Sequence, residues 1–318
     1  MLALQIVLLL VGLVILWAGA ELLVKGSANL AIGFGIRPLI VGLTIVAMGT
    51  SSPELAVSLL AALRGTKDLS LANIVGSNIA NIGLVVSVSA MIRPLKIAKS
   101  MFRNEIPIML AGTLAFSLLS WDGIIRRIDG LLLIIGFVVF LFFIIRTSQR
   151  DRHEAKAKQD FVDIRRNPAA LFKQLIYIVI GLSGLVGGSY FIVNSAEFIA
   201  DYFHVTPVVI GMSVVAIGTS LPELAISAVS AARGRVDIAI GNVIGSNIFN
   251  ILFVIAIVAL ITPIPVDKSL LSLHYPFMIG FALVSVPMLW SRFRLSRWEG
   301  MVLFAVYAVF LVLLFKGF

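Results

Sequence analysis

One stretch of this chain is written twice. Residues 38–81 align with residues 207–250 at a constant offset of 169 without a gap, and 22 of the 44 positions are identical. Each copy lies within long apolar runs, and the chain as a whole is 60% hydrophobic and 13% charged over 318 residues. That is too apolar for a soluble domain, and the runs approach the length needed to cross a bilayer. Ten spans are predicted, at 2–24, 38–62, 69–91, 104–120, 129–147, 171–197, 207–231, 238–261, 274–290 and 298–315. Five spans per half is an odd number, so the second copy enters the membrane in the opposite sense. The expectation is an all-α membrane protein of ten transmembrane helices in two inverted five-helix repeats, 1–147 and 171–318, joined by a polar cytoplasmic linker at 148–170.

Charge distribution supports the same layout. With the linker on the cytoplasmic side, 19 of the 25 Lys and Arg residues face the cytoplasm and 6 face away, as the positive-inside rule requires. Both termini are then extracytoplasmic, and the protein is expected to be integral to the inner (plasma) membrane. Residues 1–17 are apolar without a basic leader or a small-residue cleavage site, so they read as a retained first span. The net charge of +9 is dispersed among short loops and forms no basic face interleaved with aromatics, which argues against nucleic acid as a partner. The partners are the lipid bilayer and small cations. With no cysteine, disulfides and thiolate ligands are excluded, and no cofactor is called for.

The repeated stretches contain residues that a membrane span avoids: Gly49-Thr50-Ser51-Ser52-Pro53-Glu54 and Gly218-Thr219-Ser220-Leu221-Pro222-Glu223. A carboxylate at mid-membrane depth costs roughly 2.5 to 3.5 kcal/mol on insertion scales unless a partner, a cavity or an ion compensates it. Pro53 and Pro222 lack the N–H that Gly49 and Gly218 would accept, so each helix is expected to kink and to free carbonyl oxygens around Ala47 to Thr50 and near Ala216. A packing kink accounts for Gly and Pro but not for Glu. Thr50 and Glu54, like Thr219 and Glu223, are four residues apart and share a helix face. Ser51 and Ser220 add hydroxyls, and Ser58 and Ser227 lie one turn farther on, where helix packing is the competing role. The next span in each copy carries Asn73, Ser77 and Asn81, repeated as Asn242, Ser246 and Asn250, again every fourth residue. Such a stripe suits a cavity and can complete a cation's oxygen shell; interhelical hydrogen bonding, with Gly76 and Gly245 permitting close approach, is the alternative. Glu21, Glu105 and Glu197 are expected at the interfaces, and Asn78 and Asn247 fall off the stripe.

The paired Gly-Thr-Ser-x-Pro-Glu stretches, each followed by Gly-Ser-Asn-Ile-x-Asn, resemble the α-repeats of the sodium/calcium exchangers in the calcium/cation antiporter superfamily. The chain looks like a compact prokaryotic member without the large cytoplasmic calcium-sensing insert of animal exchangers. The resemblance implies ion sites built from Thr50, Ser51, Glu54, Ser77 and Asn81 in the first half and from Thr219, Ser220, Glu223, Ser246 and Asn250 in the second. It also implies backbone oxygens near Ala47 and Ala216 holding Na⁺, and first spans of each half that slide across a fixed core. Asn250 departs from the pattern, since many exchangers carry Asp there.

Two carboxylates give −2 when ionised, which one Ca²⁺ neutralises, and the same oxygens divided into smaller sites could hold Na⁺ instead. Competition for shared ligands is sufficient for Na⁺/Ca²⁺ exchange by alternating access. The alternatives are H⁺/Ca²⁺ or other divalent cation exchange, and a passive cation channel lined by the same groups. An enzymatic role is not expected, since the sequence offers no nucleophile–base pair for a hydrolase.

Overall fold

The computed structural model describes residues 2–34, 36–65, 67–157, 167–202, 216–267, 270–290 and 293–316. The first half begins with α1 (Leu2–Phe34), followed by the helix pair α2 (Pro38–Thr50) and α3 (Ser52–Leu63). Helix α4 runs through Lys67–Ala80, a π-helical turn at Asn81–Val86 and Ser87–Ile92 without interruption. Helices α5 (Glu105–Leu119) and α6 (Arg127–Ala157) complete this half. The second half repeats the order with α7 (Pro168–Tyr202), α8 (Ala216–Thr219) and α9 (Leu221–Ala232). Next comes α10 (Val236–Phe249), which continues through a π turn at Asn250–Val254 into Ile255–Ile261. Helices α11 (Tyr275–Trp290) and α12 (Arg297–Lys316) end the chain. Helix α6 continues beyond the fifth predicted span to Ala157, within the segment expected as the linker.

Six of these helices are long and apolar enough to cross a membrane alone, and the bent α2–α3 pair makes a seventh. The ten predicted spans are not all of that length. Helix α5 has 15 residues, about 22 Å at 1.5 Å per residue; α11 has 16 and is directly preceded by a π turn at Leu270–His274, and residues 207–215 of the predicted seventh span lie outside the described residues.

Burial separates a centre from a periphery. The membrane-length windows of α4 and α10 are 72% and 78% buried, against 17% for α1 and 28% for α7. The outer helices expose Val14, Trp17, Val139 and Val179, apolar side chains suited to lipid rather than water. One apolar cluster joins the halves, with Ile74 and Ile79 of α4 packed together with Ile248 and Phe249 of α10, and a second gathers Leu23 of α1, Leu185 of α7 and Ile226 of α9.

Two features of the all-α layout are absent from the sequence pattern. Loop residues form two-residue antiparallel strands, β1 (Leu95–Lys96) with β4 (Arg294–Leu295) and β2 (Ile124–Ile125) with β3 (Ile264–Pro265). Each pairs a loop of one half with a loop of the other, and Leu95, Ile125, Ile264 and Leu295 are buried beneath them. The second feature is a glycine seam. Helices α1 and α7 lie antiparallel with backbones nearly touching: a Cβ on Gly19 would sit 2.8 Å from the Gly181 carbonyl oxygen, and one on Gly12 3.0 Å from that of Gly188. Small residues spaced by seven let two membrane helices approach this closely.

Candidate functional site

The prolines set the local geometry. The chain bends by 41° between α2 and α3. Ser51 at the bend has φ −86° and ψ 9°, and Ser220, between α8 and α9, has φ −86° and ψ 3°, so both halves break in the same way. Glu54 and Glu223 fall in the first turns of α3 and α9, where the positive end of the helix dipole favours a carboxylate. Both are buried, at 1% and 0% exposure. The expectation of a freed Ala47 carbonyl is not met in this form. That oxygen accepts the Ser51 N–H at 3.0 Å and the Thr50 hydroxyl at 3.3 Å, and the carbonyl that loses its helical donor to Pro53 is that of Gly49. Ala216 opens α8, and its side chain lies outside the described residues.

The polar side chains of the two halves interlock in matching pairs. The Ser77 hydroxyl donates to Glu54 Oε1 at 3.5 Å, and the Ser246 hydroxyl to Glu223 Oε1 at 3.4 Å. Asn73 Nδ2 donates to the Glu54 carbonyl at 3.5 Å and to the Ser58 hydroxyl at 3.0 Å; Asn242 Nδ2 repeats this on Glu223 and Ser227 at 3.4 Å and 3.0 Å. Across the halves, the Thr50 hydroxyl donates to Asn242 Oδ1 at 3.0 Å and the Thr219 hydroxyl to Asn73 Oδ1 at 3.3 Å. Ser77 and Thr219 hydroxyls also meet at 3.5 Å. Every kinked helix therefore reaches the stripe of the other half, and neither half alone holds the constellation.

Several oxygens in this buried network have no hydrogen-bond partner: Glu54 Oε2, Glu223 Oε2, Ser220 Oγ, Asn81 Oδ1 and Asn250 Oδ1. A buried acceptor left unmade costs about 1–3 kcal/mol, more if charged, so a concentration of them at two carboxylates marks a place built for a positive ligand. Among the described residues no three His, Cys, Asp or Glu side chains cluster. The available ligand set is carboxylate, amide, hydroxyl and carbonyl oxygen, which suits hard cations.

The two halves are alike in sequence but not in detail. The Ser51 hydroxyl donates to Glu223 Oε1 at 2.7 Å, whereas its counterpart Ser220 Oγ is unpartnered. Gly49 and Gly218, at the heads of the kinks, are both covered by α7: added Cβ atoms would lie 2.5 Å from Leu182 Cδ2 and 2.4 Å from Val193 Cγ2. A symmetric counterpart would bring Leu13 and Val24 of α1 to these positions.

The interhelical role weighed for the stripe and for the second serines is filled by particular residues. Asn73 and Asn242 bridge carboxylate helix, serine and opposite-half threonine, a role that their place on the stripe hinted at. Ser58 and Ser227 serve these asparagines. Gly245 packs against α2, where a Cβ would be 2.5 Å from the Leu43 carbonyl oxygen; no comparable contact is found at Gly76 among the described residues. Of the acids expected at interfaces, Glu21 pairs with Arg233, Oε1 accepting from Nε at 2.9 Å and Nη2 at 2.5 Å. Glu105 is instead fully buried in the first turn of α5, because that turn enters the core. The Glu197 side chain lies outside the described residues.

Comparison with known proteins gives consistent matches. The family model described as sodium/calcium exchanger protein matches twice, at residues 4–146 and 173–316. Inner membrane protein YrbG of Escherichia coli is 35% identical over 312 residues, covering 97% of this chain and 96% of that protein. Sodium/calcium exchanger MaX1 of Methanosarcina acetivorans is 31% identical over 348 residues, covering 99% of each. Among solved structures, the sodium-calcium exchanger NCX_Mj soaked with 2.5 mM Na⁺ and 0.1 mM Ca²⁺ superposes with a TM-score of 0.84 at 30% identity, over 97% of this chain and 98% of that one.

Proposed function

Because the chain belongs to the sodium/calcium exchanger protein family, we infer that it exports Ca²⁺ in exchange for Na⁺ by alternating access. The family is one of ion exchangers, so the chain is a transporter and not an enzyme. The observation that carries the reading is the pair of buried carboxylates, Glu54 and Glu223, each with one oxygen held by hydroxyls and the other unpartnered. One Ca²⁺ between them neutralises both charges. Na⁺ ions use the same oxygens with Thr50, Ser51, Ser77, Thr219, Ser220 and Ser246, with Asn81 and Asn250 alongside and the Ala47 and Ala216 carbonyls at the edges. At Ala47, binding redirects the Thr50 hydroxyl that now occupies that carbonyl. Since both cations need the same ligands, they displace one another.

The membrane arrangement belongs to the same reading: ten spans in inverted repeats at 1–147 and 171–318, a cytoplasmic linker at 148–170 and extracytoplasmic termini, in the inner membrane. The matched halves of the network and the excess of basic residues on the linker side support it. Helices α1 and α7 slide together along the core. The asymmetric covering of Gly49 and Gly218 by α7 alone supports two alternative positions for this pair.

Radiolabelled Ca²⁺ uptake into vesicles of purified protein, with Na⁺ and pH gradients imposed separately, tests the proposal. Uptake is expected to follow the Na⁺ gradient. Uptake that follows the pH gradient and ignores Na⁺ would replace Na⁺ coupling with proton coupling, and channel-like flux without a counter-ion would replace the exchanger with a pore.

A further inference from the structure

Three residues lie near the site in each half and match at the offset of 169: Asn78, Asn81 and Met109 in the first, Asn247, Asn250 and Met278 in the second. Their backbones are also placed alike. Helix α10 packs on the π turn at Asn81–Val86 and on α5, while the Lys67–Ala80 part of α4 packs on the π turn at Asn250–Val254 and on α11. Their hydrogen bonds are not alike.

On one side a relay is complete. Asn247 Nδ2 donates to Met109 Sδ at 3.7 Å, and Asn247 Oδ1 accepts from Asn81 Nδ2 at 3.0 Å. With its NH₂ group so engaged, Asn81 leaves the opposite end of its amide, the buried Oδ1, without a partner. On the other side the same three residue types leave the relay unmade. Asn78 Nδ2 donates instead to the Ile74 carbonyl of its own helix at 2.8 Å. Asn78 Oδ1 and both polar atoms of Asn250 are buried and unpartnered, and Met278, the counterpart of Met109, is buried on α11 with 2% exposure. The counterpart of the Asn247–Asn81 bond would join Asn78 Oδ1 to Asn250 Nδ2, two atoms that both lack a partner here.

An amide beside a cation has two opposite ends. Its oxygen is a ligand and its NH₂ repels the ion, so an amide that is not held offers the wrong end part of the time. We propose that Asn247 and Asn78 are positioning residues that alternate, Asn247 (backed by Met109) fixing the Asn81 amide in the access state seen here and Asn78 (backed by Met278) fixing Asn250 in the opposite state. The cation then meets one oriented and one free amide at each membrane face, with the roles exchanged. This rests on the exchanger reading above, and it adds a way for two half-sites with the same polar residues to present differently held amides to the cation.

The test is the apparent affinity for Ca²⁺ measured at each face separately, in right-side-out and inside-out vesicles, for Asn247→Leu, Met109→Leu, Asn78→Leu and Met278→Leu. Asn247→Leu is expected to weaken affinity about five- to tenfold at one face, the equivalent of one or two net hydrogen bonds, and to leave the other face within about twofold. Asn78→Leu does the same at the opposite face. The Met→Leu variants, nearly neutral in volume, follow the same sidedness with about a twofold effect, and they keep the test available if an asparagine variant fails to fold. Merely structural residues would move both faces together or change only the maximal rate. Equal shifts at both faces, the same face weakened by all four variants, or no shift at all would overturn the proposal. If the wild type itself exchanges no Ca²⁺ for Na⁺ or H⁺, the exchanger reading fails and the relay falls with it. Normal wild-type exchange with side-indifferent variants removes the relay alone.

Discussion

At the scale of single residues, two carboxylates dominate because both are removed from water and, among the described residues, no third acid clusters with them. Glu54→Gln and Glu223→Gln keep shape and hydrogen bonding while removing charge, and each is expected to lower Na⁺-driven Ca²⁺ uptake at least about tenfold, corresponding to about 1.4 kcal/mol of lost cation binding. Full uptake in either variant would contradict a shared pair. A finer prediction separates the two kink serines. Ser51 donates to Glu223 at 2.7 Å and Ser220 donates to nothing, and a hydrogen bond to a charged group contributes about 1.5–3 kcal/mol. Ser51→Ala should therefore lower the melting midpoint of the purified protein, and Ser220→Ala should lower it less; equal shifts would mean that the asymmetry is not present in solution. The identity of these residues was legible from the repeat. Which of two identical serines reaches which glutamate was not, since a hydroxyl's partner depends on distances across the two halves.

Among elements, the α1–α7 pair is the one whose design the apolar pattern concealed. In the sequence its glycines are indistinct within hydrophobic runs, yet Gly12, Gly19, Gly26, Gly181 and Gly188 each face the opposite backbone within 3.0 Å of an added Cβ. Gly19→Val forces the helices apart and is expected to cut exchange at least about tenfold in protein that remains monodisperse, because membrane helix pairs gain their stability from close packing. Gly187→Ala, on the partner helix α7 with nothing within 4 Å of the added carbon, is the neutral control. Should both variants transport normally, the seam is not needed for the motion assigned to this pair. The kinks were foreseeable, since proline acts through its own ring and missing donor. The π turns that begin at Asn81 and Asn250 were not, because an inserted residue in a helix leaves no compositional trace.

For the molecule as a whole, the cross-half bonds of Thr50 with Asn242, Thr219 with Asn73 and Ser51 with Glu223 make the site a product of assembly. The inter-half strand pairs β1–β4 and β2–β3 and the Glu21–Arg233 pair join the halves at further points. Chains split into 1–157 and 168–318 are therefore expected to restore exchange when produced together and to show none when produced singly. Transport by either fragment alone would show that one half can hold a complete site.

What the chain determined by itself was its duplication, its apolar length and the placement of prolines, glutamates and small polar residues at matching positions, all properties that act within one helix or recur at a fixed offset. The asymmetry belongs to the tertiary structure alone. Two near-copies of one sequence take up different hydrogen bonds because their surroundings differ: α7 supplies both Leu182 against Gly49 and Val193 against Gly218. No residue-level rule separates Ser51 from Ser220 or Asn81 from Asn250; their difference arises only from what the other half places within reach.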